Sequence, residues 1–242
     1  MKVFTKTDVG MTRTMNQDSY SISNEENYKL YILADGMGGY KGGEIASKVA
    51  VTAVEKYIKE KFITIPKEKE QILELIKNAI EFANIAIFEE AKQDEELHDM
   101  GTTIEVCLIY KNKIYIGHVG DSRIYRIRKN IMKKLTTDHS YVEKLVKDGE
   151  ITREEAFNHP KKNLLIKALG TSGTVEPDVI YKALAKDDIL VICSDGLTNM
   201  VREERILELI KENEDVAVDV LISEANAAGG LDNITVILII NK

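Results

Sequence analysis

The sequence has no tryptophan, three prolines and two cysteines in 242 residues, and only 6% of it is aromatic. The prolines (Pro66, Pro160, Pro177) stand far apart, and no Pro-, Ser- or Gly-rich tract interrupts the chain. With no linker composition to divide it, one domain spanning 1–242 is expected. Cys107 and Cys193 lie inside the apolar runs IEVCLIY and ILVICSD and form no C-x-x-C pair. Both read as core thiols, zinc is not indicated, and nothing implies an oxidising compartment. The N-terminal MKVFTKTDVGMTRT lacks the apolar core of a secretion signal, and the longest apolar runs, such as TVILII, are far too short to span a bilayer. A cytoplasmic protein without membrane insertion is the expectation. There is no excess of positive charge either: 33 Lys and Arg face 40 Asp and Glu, a net charge of -7. That argues against a broad grip on nucleic acid or anionic lipid.

The remaining composition is that of a globular protein, 44% hydrophobic and 30% charged. At this length roughly 70–75% of the unfolded surface can be buried, so the core needs no staples. Short apolar or β-branched runs at 28–34, 103–109, 113–119, 123–128, 188–193 and 234–240 have the size of strands. IEVCLIY and KIYIGHV, separated by Lys111–Asn112, read as a hairpin. Two long helices are expected before it. Ile45, Val49, Ala53 and Tyr57 mark the apolar stripe of the first, and Ile72, Ile76, Ile80, Ala83 and Ile87 that of the second. Two more helices fit 202–212 and 215–227. Ser140-x-x-Glu143 and Thr152-x-x-Glu155 resemble capping boxes and predict two short helices in an insert at 139–160, a candidate lid. Consecutive hairpins with paired helices favour antiparallel sheets with helices packed outside.

The aspartates are distributed unevenly. LYILAD-Gly places Asp35 at the end of a strand, YIGHVGD places Asp121, ILVICSD-Gly places Asp195, and LDNITVILII begins a strand at Asp232. Any single Asp-Gly is a turn signal. Four carboxylates gathered at one rim would repel one another unless a cation met them, and hard divalent ions such as magnesium or manganese take oxygen ligands. Asp35, Asp195 and Asp232 bring three negative charges and a bridging hydroxide a fourth, which two dications balance. Two such ions roughly 3.5–4 Å apart can share a hydroxide that is nucleophilic at neutral pH. Asp121 could hold a third, weaker ion. The segment ADGMGGYKGGE crowds Gly36, Gly38, Gly39, Gly42 and Gly43 ahead of a helix, which suits close backbone approach to an ion or phosphate. It is not a phosphate-binding loop of the G-x-x-x-x-G-K-[ST] kind, since Lys41 is not followed by Ser or Thr.

These segments together resemble the metal-dependent protein phosphatases of the protein phosphatase 2C type, and their bacterial branch in particular. The matching stretches are RTMNQDSY (13–20), LADGMGGYKGGEIAS (33–47), MGTT (100–103), HVGDSRIYRI (118–127), LTTDHSYVEKLVKDGEIT (135–152), NHPKKNLLIKALGT (158–171), DDILVICSDGL (187–197) and GGLDNITVILI (229–239). They follow the family's order along nearly the whole chain. The resemblance implies an α+β, four-layer αββα sandwich, with two antiparallel sheets flanked by helix pairs and a small helical flap at 139–171. It implies two divalent metal ions (Mn or Mg) with a third, weaker one. Asp35 would bridge the two ions and the Gly36 carbonyl would bind the second. Asp195 and Asp232 would hold the first, Asp18 would act on the second through water, and Asp121 with Asp195 would take the third. Arg13 would hold the substrate phosphate, where a guanidinium fork suits its oxygens.

The implied reaction is hydrolysis of phosphoserine and phosphothreonine by a metal-activated water, with phosphoproteins, among them a Ser/Thr protein kinase, as partners of a monomeric enzyme. Two positions depart from animal members: Met37 stands where they have a histidine regarded as the general acid, and Gln17 where they have Glu. No C-x5-R is present, so a cysteine nucleophile is excluded. His118 reads as structural, His139 as a cap or flap contact, and neither His98 nor His159 as a ligand. Two alternatives stay open: a metal-dependent hydrolase of small phosphoesters, and a catalytically silent phosphoprotein-binding module.

Overall fold

The computed structural model describes the backbone of all 242 residues and every side chain except those of residues 39–41. Gly39 and Lys41 of the glycine-rich segment therefore lie outside the described side chains.

The elements follow as β1 (Lys2–Asp8), β2 (Asp18–Asn24), β3 (Lys29–Met37), α1 (Gly39–Phe62), α2 (Lys69–Ala91), β4 (Gly101–Thr102), β5 (Ile104–Tyr110), β6 (Lys113–Val119), β7 (Arg123–Arg128), β8 (Ile131–Lys134), α3 (Tyr141–Lys147), α4 (Arg153–Phe157), β9 (Asp178–Ala183), β10 (Ile189–Cys193), α5 (Asp195–Thr198), α6 (Glu203–Asn213), α7 (Ala217–Ala227) and β11 (Ile234–Ile240). One antiparallel sheet runs β1-β11-β10-β7-β8 and the other β2-β3-β5-β6-β9, with β4 beside β3.

Strand parity assigns each side chain to a layer. In β3, Leu30, Ile32 and Ala34 join the core under α1 and α2, while Tyr31 and Leu33 point between the sheets. In β11, Val236, Leu238 and Ile240 pack under α6 and α7, while Ile237 and Ile239 face the other sheet. A strand buried on both faces needs apolar residues at every position, and so these strands appear in the sequence as unbroken hydrophobic runs. The architecture is the expected αββα sandwich.

Besides the two-residue β4, the strands that the sequence runs do not mark are β1, β2, β8 and β9, and these four are sheet edges. Their side chains are mostly part-exposed, so polar residues such as those of DSYSISN are tolerated and the apolar signal is diluted. The stripe of α1 is also displaced from expectation. Ala46, Ala50, Val54 and Ile58 are fully buried, whereas Ile45, Val49, Ala53 and Tyr57 form the shoulder of that face. Small alanines let the helix lie close to the sheet, and hydropathy alone underrates them. The α2 stripe is as expected, with Ile72, Ile76, Ile80, Ala83 and Ile87 fully buried. Lys111 (φ 46°) and Asn112 (φ 57°) make the left-handed two-residue turn that joins β5 to β6.

Thr152 and Glu155 form a full capping box at α4. Ser140 caps α3, but Glu143 does not complete its box. The Glu143 carboxylate turns instead to Arg153, with Oε2 3.2 Å from Nη1. Residues 139–171 are closed on themselves by an isolated bridge between Ser140 and Leu165 and joined to the body by one between Leu169 and Thr102.

Candidate metal centre

The layer between the sheets is apolar through most of its length and turns polar at one end. The same parity that aims Tyr31 and Leu33 inward aims Asp35 inward. Asp18 is its cross-strand partner on β2, so two carboxylates stand directly opposite each other. Like charges in that position are destabilising unless something meets them. Ser194 and Thr235 carry the inward rows of the opposite sheet to the same end. Thr235 Oγ1 (2.6 Å) and Ser194 Oγ (2.9 Å) donate to Asp18 Oδ2, joining the two sheets through one carboxylate. Among the described residues Asp18 Oδ1 is buried with no hydrogen-bond partner.

Asp35 is held by its backbone. Thr103 N (2.9 Å) and Thr102 Oγ1 (2.9 Å) donate to its carbonyl, and its own N–H donates to Thr103 Oγ1 at 3.0 Å. This leaves the carboxylate free to face the cleft. A side chain at Gly36 would place its Cβ 2.0 Å from Gly43 O, so the start of α1 can press on this backbone only because that position is glycine. Asp121 follows Gly120, whose φ of 115° turns the chain out of β6. Asp195 opens α5, and Asn199 Nδ2 donates to its Oδ2 at 2.8 Å. Asp232 lies two residues before β11. It accepts from Asn233 N through Oδ1 at 2.9 Å and from Arg13 Nη2 through Oδ2 at 2.9 Å.

Relative to expectation, Asp35 sits inside its strand rather than at its end, Asp195 begins a helix, and Asp232 precedes its strand. Even so, Arg13, Asp35, Gly36, Asp121, Asp195 and Asp232 all line one cleft of about 430 Å³. Asp18 does not line it and stands behind Asp35. Asp121 and Asp195 also line a larger neighbouring cleft of about 640 Å³, bounded by Arg153 and Phe157 of α4.

The carboxylates perturb one another. Burial, reinforced by Asp195 and Asp232, pushes Asp18 up to about 7 despite the Thr235 and Ser194 hydrogen bonds. Burial and then Asp232 push Asp195 up to about 6. Asp35 is raised well above the usual carboxylate range by burial and then by Asp18, Asp195, Asp121 and Asp232. Asp121 is raised by burial and Asp195. Loss of water together with like charge disfavours the ionised form, which a divalent cation would reverse. Among the described residues no three His, Cys, Asp or Glu side chains are already drawn into a metal cage. Arg13 occupies one oxygen of Asp232 and Asn199 one oxygen of Asp195. The donors still fit hard divalent ions: they are all oxygen, in excess of local positive charge, and one buried oxygen has no partner.

Several contributors carry no sequence signal. Thr235 is an ordinary strand residue, Ser194 the residue between β10 and α5 and Thr103 the link between β4 and β5 until the sheets face each other. Asn233 ties the Arg13 segment in place by donating to Val9 O and Met15 O at 2.9 Å each. His118, read as structural, is fully buried against Glu105.

Comparison with known proteins agrees with this fold. The family model described as Protein phosphatase 2C matches residues 11–217. The serine/threonine phosphatase stp of Listeria welshimeri is 40% identical over 237 residues, covering 97% of this chain and 93% of its own. Protein phosphatase PhpP of Streptococcus pneumoniae is 39% identical over 243 residues, covering 99% and 97%. The solved serine/threonine phosphatase of S. agalactiae superposes with a TM-score of 0.90 at 40% identity, covering 98% of each chain. The catalytic domain of the serine threonine protein phosphatase PstP, solved in complex with 2 manganese ions, superposes at 0.84 with 32% identity, covering 98% and 96%. The chain belongs to the protein phosphatase 2C family. Within it, the relatives named here are bacterial serine/threonine phosphatases.

Proposed function

We propose that the chain is a protein serine/threonine phosphatase whose cleft takes two divalent cations, manganese or magnesium. The observation that carries this reading is the meeting of Asp35, Asp121, Asp195 and Asp232 with Arg13 in one cleft at the polar end of the sandwich. The bound ions would supply a water made nucleophilic near neutral pH and positive charge toward the phosphoryl oxygens.

The chain's own residues do the rest. Asp35 and the Gly36 carbonyl, with Asp195 and Asp232, would hold the cations, and Asp121 with Asp195 would hold a weaker third. Asp18 orients water from behind Asp35. Arg13 binds the equatorial oxygens of the phosphoryl group, which carry charge in the transition state. Met37 cannot donate a proton, so the leaving alkoxide is protonated by solvent in the cleft. Residues 139–171 act as the flap over the larger neighbouring cleft. Membership of the bacterial branch supports a Ser/Thr protein kinase as one phosphoprotein partner, and no helix is long and apolar enough to cross a membrane.

The test is hydrolysis of a phosphothreonine peptide with and without manganese, using Asp35→Ala as control. Release of phosphate that needs the metal and disappears in the variant is expected. Turnover of p-nitrophenyl phosphate without turnover of the peptide would favour a small-phosphoester hydrolase, and no turnover of either a silent binding module. Asp195→Asn and Asp232→Asn should each lower the rate by several orders of magnitude with the fold intact.

A further inference from the structure

Behind Asp121 lies a second polar cluster that the reaction above leaves without a role. Glu105 of β5 and His118 of β6 are cross-strand neighbours, both fully buried, and His118 Nδ1 is hydrogen-bonded to Glu105 Oε1. His118 Nε2 lies 2.9 Å from Thr137 O. A carbonyl only accepts, so Nε2 carries a proton. His139 lies flat on this ring, with centroids 4.6 Å apart and planes inclined by 24°.

His139 stands where residues 139–171 leave the body, and it grips Gly120 twice. Gly120 N–H donates to its Nδ1 at 3.1 Å, and its own N–H donates to Gly120 O at 2.7 Å. Gly120 is the left-handed residue immediately before Asp121, and a Cβ there would meet Thr103 Cγ2 at 2.5 Å. Ser122, just after Asp121, is hydrogen-bonded at 2.9 Å to Thr103 Oγ1, the oxygen that also accepts from Asp35 N. The direction of the Asp121 carboxylate is thus set by a peptide that His139 clamps on one side and Thr103 on the other.

We propose that His139 is a positioning residue for Asp121: its unprotonated Nδ1 fixes the Gly120 peptide, while the buried His118–Glu105 pair fixes the plane of its ring. This rests on Asp121 belonging to the reacting site. Because Nδ1 accepts from the Gly120 peptide, the ring is neutral with its proton on Nε2, which faces Asp178 Oδ2 at 3.4 Å; Lys167 Nζ, also 3.4 Å from Nε2, is balanced by Glu176 O at 2.9 Å and Asp178 Oδ1 at 3.7 Å. Burial, then His118 and Lys167, hold its pKa down to about 4, so it remains an acceptor at neutral pH. The other wall of the 139–171 segment joins the same clamp, since Ile166 N donates to His139 O at 2.9 Å. The root of that segment and the placement of Asp121 are therefore coupled.

Two variants separate the parts. His139→Phe keeps a ring over His118 and removes the acceptor. His139→Asn keeps a short-chain acceptor and removes the stack. Hydrolysis of p-nitrophenyl phosphate as a function of manganese concentration should show half-saturation about 10–100-fold higher in the Phe variant, as for lost outer-shell partners of metal ligands. The Asn variant should recover most of that loss. Amide hydrogen exchange at Gly120 should quicken in His139→Phe and stay slow in His139→Asn. In the unmodified protein, the imidazole nitrogen spectrum should show Nδ1 of His139 unprotonated at about pH 7. A protonated Nδ1, or a Phe variant with unchanged manganese dependence and Gly120 protection, overturns the proposal. Asp195→Asn serves as the control for the cleft itself. If that variant kept full turnover, the phosphatase reading would fail, whereas the exchange and nitrogen spectra would still decide the Gly120 contact.

Discussion

Arg13 donates from Nη2 to Asp232 Oδ2 across 2.9 Å, so the residue assigned to phosphate rests on a residue assigned to metal. The pairing has a direct physical meaning. A carboxylate in an acidic cleft takes whatever positive charge is present, and a cation bound at Asp232 would release the guanidinium toward phosphate. Arg13→Ala should lower kcat/KM for a phosphothreonine peptide by about 10²–10³-fold. Arg13→Lys should recover only part, because an ammonium is a point charge rather than a planar fork. Steady-state kinetics on both variants check this, and an Arg13→Ala enzyme with undiminished kcat/KM would confine Arg13 to its contact with Asp232.

Removal of metal should make stability depend on pH in a defined direction. Asp18 and Asp195 have folded-state values raised to about 7 and about 6 from an ordinary 3.8, and Asp35 and Asp121 are raised as well. A carboxyl that binds its proton more tightly when folded stabilises the fold at low pH. That contribution is lost as pH rises through the folded value. The metal-free protein should therefore lose stability from these groups between about pH 4 and 7, where cations restore it. His139, held down to about 4, acts in the opposite sense over much of the same range. The difference in Tm with and without manganese cancels its contribution. That difference should widen as pH rises, and one that stays flat across the range would show that the carboxylates do not meet the ion.

Gly36→Ala tests the packing of the glycine-rich turn. The added Cβ would stand 2.0 Å from Gly43 O, a backbone atom that cannot rotate away. Overpacking of this kind costs about 1–3 kcal/mol. The displaced backbone also carries the Gly36 carbonyl, so half-saturation with manganese should rise along with the loss in thermal unfolding. Normal Tm and normal metal dependence together would mean that the start of α1 yields freely.

The flap helix is fastened along the larger cleft, away from the one that Arg13 lines. Arg202 Nη1 and Nη2 donate to the two Glu154 oxygens at 2.7 and 2.6 Å, and its guanidinium covers Phe157 with 4.5 Å to the ring centroid. The Arg202 and Glu154 side chains are both exposed, so Arg202→Ala should barely change global stability. It should speed amide exchange in residues 152–158 and alter KM for a phosphopeptide, leaving hydrolysis of p-nitrophenyl phosphate nearly unchanged. Equal effects on both substrates would place the action of Arg202 in the catalytic cleft instead.

Much of the molecule was legible before folding was considered. Central strands such as ITVILII bury both faces, so they stand out as continuous apolar runs. The α2 stripe follows the helical period because one face meets the sheet and the other meets water. The edges were not legible, because a strand with one free side can be polar at many positions. The acids were visible as Asp beside strand ends, yet their exact elements were not, since a helix start at Asp195 and a strand interior at Asp35 look alike in one dimension.

Hydropathy period and residue identity are local properties, and they were enough to mark the buried segments and the residue types that could carry the chemistry. Which groups meet was settled in three dimensions. Asp18 faces Asp35 through cross-strand register and receives Ser194 and Thr235 from the opposite sheet, while Arg13 meets Asp232 from 219 residues away in sequence. Those relations depend on how two sheets are laid on each other, and the energy that fixes that alignment comes from the apolar layer between them, whose strands also carry the acids or lead into them.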